Sequence, residues 1–329
     1  MEVIKEHKFV CVSGYGWTGS GACIDLLKEF KGFGVLKGEF RIVKDPYGIK
    51  DLEASLVHNW DFIRHDVAIR DFLNYCEVLS RETGLFKKSG KDLSNKLGVD
   101  FMLESRLYIN ALTDFRYFGD TFVHRYNIPA FQNFFLKLRS KMGKKNAISM
   151  YFSRPSKDVF LKETQKYINN LFCAFNNIDT IVLDQAIPAT NIFSTKQYFK
   201  NMKVIVIDRD PRDIYINMIK RKKLLGPDLI NSESVDKYIK WHKCVRQDNG
   251  ASSDKEVLKL YFEDLILKYD ESVSKIIDFF GSDIEHDKKM KFFLPSDSFK
   301  NTGLWKTYKD QDTMNYINKE LKEYCYNVE

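Results

Sequence analysis

The chain has 329 residues, 44% hydrophobic and 29% charged, enough to bury a core as one large α/β domain or two smaller ones. Lysine and arginine number 52 against 45 acidic residues, a formal net charge of +7; this favours an anionic ligand, but no basic run with interleaved aromatics asks for nucleic acid. The six cysteines form no C-x-x-C pair, which speaks against a zinc site or a disulfide framework and for reduced thiols.

The amino terminus lacks the order of a signal peptide, and no run reaches the roughly 18 apolar residues of a transmembrane helix. A soluble, cytoplasmic chain without a transmembrane segment is expected, although it could still work on a membrane-bound acceptor. In chain order, the first predicted strand is Lys8–Ser13, "KFVCVS". The glycine-rich turn "GYGWTGSGAC", Gly14 to Cys23, follows it and leads into a helix over Gly21–Phe30. The segment "KGFGVLKGEF" offers only Phe33–Leu36 as a strand before Lys37 and Gly38 interrupt.

Residues 52–176 read as mostly helical, with apolar residues three and four apart in "WDFIRHDVAIRDFLNYCEVL" and "AFQNFFLKLRSKMGKK". They are expected to form an insertion that shapes an acceptor site. Later strands are predicted at Thr180–Leu183, Lys203–Asp208 and Val257–Phe262, each followed by helix-like sequence. That alternation gives an α/β fold with a central parallel sheet and helices on both faces.

The turn satisfies two patterns. Gly14, Gly16 and Gly19 fit the dinucleotide fingerprint G-x-G-x-x-G, and Glu39, twenty residues after Gly19, stands where an acid would meet a ribose. Gly14 to Gly19 also fits the frame of a phosphate-cradling loop, with Ser20 where its lysine would be. The deciding segment is "VIVIDRDPRDIYINMIKR", Val204 to Arg221. A strand delivers Arg209 at its carboxyl end, Pro211 starts a helix, and Asn217 lies two turns along, where its amide could meet the same anion.

Together the glycine loop and the "RDPRD" segment resemble the two signature regions of sulfotransferases that use 3′-phosphoadenosine 5′-phosphosulfate (PAPS). Gly14–Ala22 matches the first region, and Arg209, Pro211 and Asp213 match the second, with Asn217 at the position of the family serine. "LYFEDL", Leu260–Leu265, and "NTGLWK", Asn301–Lys306, are similar to two further family segments. The resemblance thus runs from Val12 to Lys306 and implies a P-loop-like three-layer α/β fold as a single sulfotransferase-like domain, PAPS as donor and no metal. It further implies that Gly16, Trp17, Thr18, Gly19, Ser20, Gly21 and Ala22 hold the 5′-phosphosulfate. Arg209 and Asn217 would hold the 3′-phosphate, while Thr302, Gly303, Trp305 and Lys306 close over the nucleotide.

Where the family usually has a loop lysine, this chain has Trp17. Either a cation arrives from elsewhere, with Arg41, Lys44 and Lys306 as candidates, or activity is low or absent. The polysaccharide branch places a glutamate base shortly after the second strand, which Glu39 matches. Arg41 beside it would suit an anionic substrate or the transferred group. Asp184 in "VLDQAIPA" is the second candidate base; His58, His65, His124 and His242 read as solvated or core side chains. The expectation is sulfuryl transfer to a hydroxyl of a glycan or glycolipid. A catalytically weak nucleotide-binding relative and an NAD-dependent oxidoreductase remain as alternatives.

Overall fold

The computed structural model describes residues 5–84, 89–119, 128–144, 148–221, 235–247 and 254–327. The described chain falls into two compact units, one of Glu6–Arg41 with Phe175–Glu329 and the other of Ile42–Ala174 joined by Lys5. The first unit is built on a five-stranded sheet. Its strands are β1 (Lys8–Gly14), β2 (Phe33–Glu39), β5 (Thr180–Asp184), β6 (Met202–Asp208) and β7 (Val257–Tyr261), in the order β2-β5-β1-β6-β7. Every pairing is parallel, so all five carboxyl ends leave from one edge.

The central strands are apolar on both faces, as a sheet covered by helices requires. Val10, Val12, Val182, Ile205, Ile207 and Leu260 pack against Ile24 and Leu27 of helix Ser20–Leu27 and against Leu265, Ile276 and neighbours from helices Phe262–Leu267 and Tyr269–Phe280. Leu26 and Leu27 are fully buried, and each such leucine contributes about 2 kcal/mol of hydrophobic stabilisation. Alternation turns Cys11, Leu183, Val204 and Val206 to the opposite face, also buried.

β2 runs through the Lys37–Gly38 interruption to Glu39, contrary to the shorter strand expected. The reason is its place at the sheet edge. Lys37, Gly38 and Glu39 are exposed, so charge is tolerated there, and a register shift between Val35 and Glu39 with Gly38 at φ 86° absorbs the irregularity. This edge position also separates the two nucleotide patterns. In dinucleotide folds the strand bearing the ribose-binding acid neighbours the first strand, whereas here β5 lies between β1 and β2.

The second unit is mainly helical. Helices Arg64–Ser80, Phe101–Leu112 and Lys157–Leu171 enclose Phe72, Tyr108, Phe160 and Tyr167, all buried. Its departure from the helical expectation is an antiparallel pair, β3 (Phe115–Gly119) and β4 (Ile148–Phe152). Asp66, fully buried, ties that pair to the helix: it accepts from Tyr151 N at 2.8 Å and pairs with Arg70. Among the described residues no helix is long and apolar enough to cross a membrane.

Candidate functional site

The carboxyl edge of the sheet gathers the candidate residues of the first unit. β1 ends at Gly14, and the chain turns through Gly16 (φ 89°), Trp17 (φ 62°) and Gly19 (φ 85°) before helix Ser20–Leu27 begins. The glycines have steric reasons. A Cβ on Gly14 would stand 2.2 Å from the Thr18 Oγ1, and one on Gly19 would stand 2.4 Å from the Phe262 ring. Gly19 caps the helix without a side-chain hydrogen bond, so the N–H groups of the first turn remain an anion-attracting end.

Across from this helix start lies Arg209, at the end of β6. Trp17, Gly19, Gly21, Ala22, Arg209, Asn217 and Phe262 all border one cavity of about 290 Å³, which Asp25, Phe293, Ser298 and Asn301 complete. Arg209 is 5% exposed. Its Nη1 donates to the Trp17 carbonyl at 3.3 Å, its Nη2 donates to the Asn301 carbonyl, and its guanidinium lies 4.8 Å from the centre of the Phe262 ring. Two of its five N–H donors are thereby used, and among the described residues its buried Nε has no hydrogen-bond partner. Burial pushes the Arg209 pKa down, while Asp213, Glu263 and Asp210 oppose that. A guanidinium held dry with donors to spare is arranged to receive an anion.

Asn217 is nearly buried on helix Pro211–Arg221 and donates from Nδ2 to the Asp213 carbonyl at 2.9 Å. That leaves its Oδ1 and a second N–H for another partner. Asp213 acts as a clasp: its carboxylate accepts from Gly303 N at 2.7 Å and from Trp305 N at 3.1 Å. Burial raises its pKa to about 6 against the lowering effect of Arg209. Arg212 pairs with Asp210 at 2.5 Å and stacks 3.6 Å from the Trp305 ring centre. Helix Pro211–Arg221 and the segment Asn301–Lys306 are therefore joined by hydrogen bonds, an aromatic stack and apolar packing.

The remaining expected residues are dispersed. Thr18 is buried, and Ser20 Oγ accepts from Gln185 Nε2 at 3.3 Å. Of the Asn301–Lys306 segment, Asn301 borders the cavity, while Thr302, Gly303, Trp305 and Lys306 are not among its lining residues. Thr302 Oγ1 donates to the Phe299 carbonyl, and Lys306 is exposed with Nζ 5.8 Å from the Trp305 ring centre. Glu39 and Asp184 face each other in the β2–β5 register. The Glu39 carboxylate, about two-fifths exposed, pairs with Arg41 at 3.4 Å. Asp184 is half-buried at the end of β5, close enough to Cys23 to add to the burial that pushes that thiol far up.

Lys44 belongs to the other compact unit. So do His58, which is exposed, and His65, fully buried with both ring nitrogens against the carbonyls of Asp61 and Tyr151. His124 lies outside the described residues. Burial pushes His242 down to about 2, with Arg246 adding to the effect.

Three residues important to the cavity were not singled out from the sequence. Phe262 is both wall and shelf for Arg209. Its neighbour Glu263 accepts from Asp210 N at 3.0 Å and, 2% exposed, is raised to about 8 by burial. Glu29 is fully buried and accepts from the backbone N–H groups of Met290, Phe292 and Phe293, fixing the Phe293 wall. The available signals were an acid inside "LYFEDL" and an acid within the buried helix-end run "IDLLKEF". Neither has a spacing that specifies its partner.

No family model matches the chain, and no curated protein matches it. Among solved structures it is similar to the sulfotransferase domain of the Synechococcus PCC 7002 olefin synthase, at 11% identity over 100% of this chain and 98% of that one, with a TM-score of 0.43. It is also similar to the sulfotransferase domain from the curacin biosynthetic pathway, at 12% identity over 99% and 100% of the two chains and a TM-score of 0.42. A third is retinol dehydratase in complex with androsterone and the inactive cofactor PAP, at 13% identity, 98% and 82% coverage and a TM-score of 0.36.

Proposed function

We propose that the chain is a sulfotransferase that moves a sulfuryl group from PAPS to an acceptor hydroxyl. One observation carries this reading: the glycine-loop helix start and the buried Arg209, whose Nε has no partner among the described residues, border the same cavity, two features suited to anions at one sheet edge. Two such features bordering one cavity support a ligand with two separate phosphate groups. On this reading the backbone N–H groups of residues 16–21, with Thr18 and Ser20, hold the 5′-phosphosulfate. Arg209 and Asn217 hold the 3′-phosphate, and the aromatic walls Phe262, Phe293 and Trp17 pack on adenine or ribose.

PAPS supplies the activated sulfuryl group. The chain's own residues contribute position and electrostatic stabilisation as charge spreads to the leaving phosphate and the sulfuryl oxygens. Glu39 is assigned as general base for the acceptor hydroxyl, with Asp184 second, and Arg41 offsets charge on the transferred group or an anionic acceptor. A glycan or glycolipid acceptor is part of the proposal and rests on the Glu39 pattern. The acceptor-shaping role of residues 52–176 belongs to it too; substitutions there are expected to change acceptor KM and leave nucleotide affinity alone.

Thermal-shift measurements with 3′-phosphoadenosine 5′-phosphate (PAP) and with NAD test the nucleotide assignment. Stabilisation by PAP alone is expected, and stabilisation by NAD alone would sink it. Trp17 in the lysine position supports a second reading, nucleotide binding without turnover. Transfer of labelled sulfate to any member of a glycan and glycolipid panel rejects that second reading, whereas PAP binding with no transfer across the panel favours it.

A further inference from the structure

In the unit Ile42–Ala174, helix Ala130–Lys141 carries its apolar residues facing water. At about 100° per residue, Phe131, Phe134, Phe135 and Leu138, with Met142 just beyond, form a single stripe roughly 100° wide. Their exposures are 62, 63, 61, 44 and 60%. None of the helix residues is buried, and the partly covered ones, Asn133 and Leu136, lie on the opposite side. The helix therefore rests on the side of Asn133 and Leu136 and presents its phenylalanine stripe. A contiguous apolar patch of this kind marks an interaction surface.

The charges around the stripe identify the occupant. Lys141 and Lys137 lie along one border and Arg139 along the other, and the helix sequence "AFQNFFLKLRSK" contains no acidic residue. An apolar stripe bordered on both sides by cations matches a membrane interface, where aliphatic stems lie along the acyl boundary and the charged ends reach phosphate. A groove on a protein partner would account for the phenylalanines but would give no reason for cations on both flanks without a single acid.

We propose that helix Ala130–Lys141 is an interfacial anchor that lies along an anionic lipid surface. The three phenylalanines enter the headgroup–acyl boundary, and Lys137, Arg139 and Lys141 meet the lipid phosphates. This anchor is independent of the sulfotransferase reading and would stand if that reading fell.

Flotation of the full chain with vesicles of phosphatidylcholine, alone or mixed with phosphatidylserine, tests it. Association with the mixed vesicles is expected, weakening as salt is raised. The double variant Phe134→Ser/Phe135→Ser should lower it at least about tenfold, and Lys137→Glu/Arg139→Glu should remove the preference for phosphatidylserine. Urea-unfolding midpoints equal to that of the parent chain show that the variants remain folded. Absence of flotation by the parent chain, or equal flotation by the serine variant, overturns the anchor. So does a concentration-dependent dimer that the serine variant abolishes, because a second copy would then be what covers the stripe.

Discussion

Replacing Arg209 with lysine keeps one positive charge and removes the planar five-donor fork. In the parent chain two donors hold the carbonyls of Trp17 and Asn301, so the fork braces the cavity as well as facing it. A bidentate grip on a phosphate comprises two charge-assisted hydrogen bonds, each worth about 1.5–3 kcal/mol. Lysine retains the charge and about one of those bonds. The net loss is then roughly 1.5–3 kcal/mol, or about twelve- to a hundred-and-fifty-fold in Kd.

The assay is calorimetric titration of both proteins with PAP and with adenosine 5′-phosphate, which lacks the 3′-phosphate. The Arg209→Lys variant should lose the full factor for PAP and no more than a few-fold for adenosine 5′-phosphate. Equal weakening for the two nucleotides would refute the reasoning. Arg209 would then serve only to tie Trp17 to Asn301, and the 3′-phosphate would have to be held by other residues.

Gly19→Ala introduces a side chain at φ 85° with its Cβ 2.4 Å from the Phe262 ring; urea denaturation should show a loss of about 2–4 kcal/mol. Glu263 is raised from its ordinary 4.5 to about 8 by burial, so its contribution to stability is full below about pH 4.5 and is lost as pH rises through about 8. Melting temperatures of Glu263→Gln should decline less than those of the parent chain across that window, and parallel profiles would contradict the assignment. Glu29→Gln leaves one acceptor oxygen for the N–H groups of Met290, Phe292 and Phe293. It should cost about 2–4 kcal/mol by denaturant unfolding and weaken PAP through the displaced Phe293. Trp17→Lys should raise sulfate transfer at least about tenfold if a loop cation is what the reaction lacks, with an unchanged rate pointing to a cation from another position.

The parallel sheet was legible because its inner strands are buried on both faces and read as short continuous apolar runs, "FVCV", "TIVL" and "VIVI". β2 was only half legible: at an edge, one covered side is enough, so the pattern that defines an inner strand disappears after Leu36. β3 and β4 were hidden for a different reason. Their aromatic runs "FRYFG" and "ISMYF" stand between long helical stretches, and what fastens β4 to the helices is Asp66, a residue distant in sequence that no local spacing discloses.

The candidate site divides in the same way. Glycines at positive φ and an arginine at a strand end are local requirements, so the two walls of the cavity could be named from the chain alone. The roles within "RDPRD" and "NTGLWK" are relational and could not. Arg209 is turned to the cavity while Arg212, three residues on, is bound to Asp210 and Trp305, and Asp213 is occupied by Gly303 and Trp305. Gly303 and Trp305 are thus used in fastening the segment to helix Pro211–Arg221, which leaves Asn301 as its contribution to the cavity lining.

Trp17 combines both kinds of constraint. A bulky residue at φ 62° is strained by roughly 1–2 kcal/mol, and the geometry persists with its carbonyl bonded to Arg209 and its side chain packed against the apolar cluster that includes residues of helix Pro211–Arg221. The loop backbone at Trp17 is therefore part of the brace that holds the guanidinium in place, and the packed indole helps to fix that backbone. A substitution at Trp17 changes the position of Arg209 as well as the charge of the loop, so the effects of Trp17 and Arg209 variants on nucleotide affinity should not be additive.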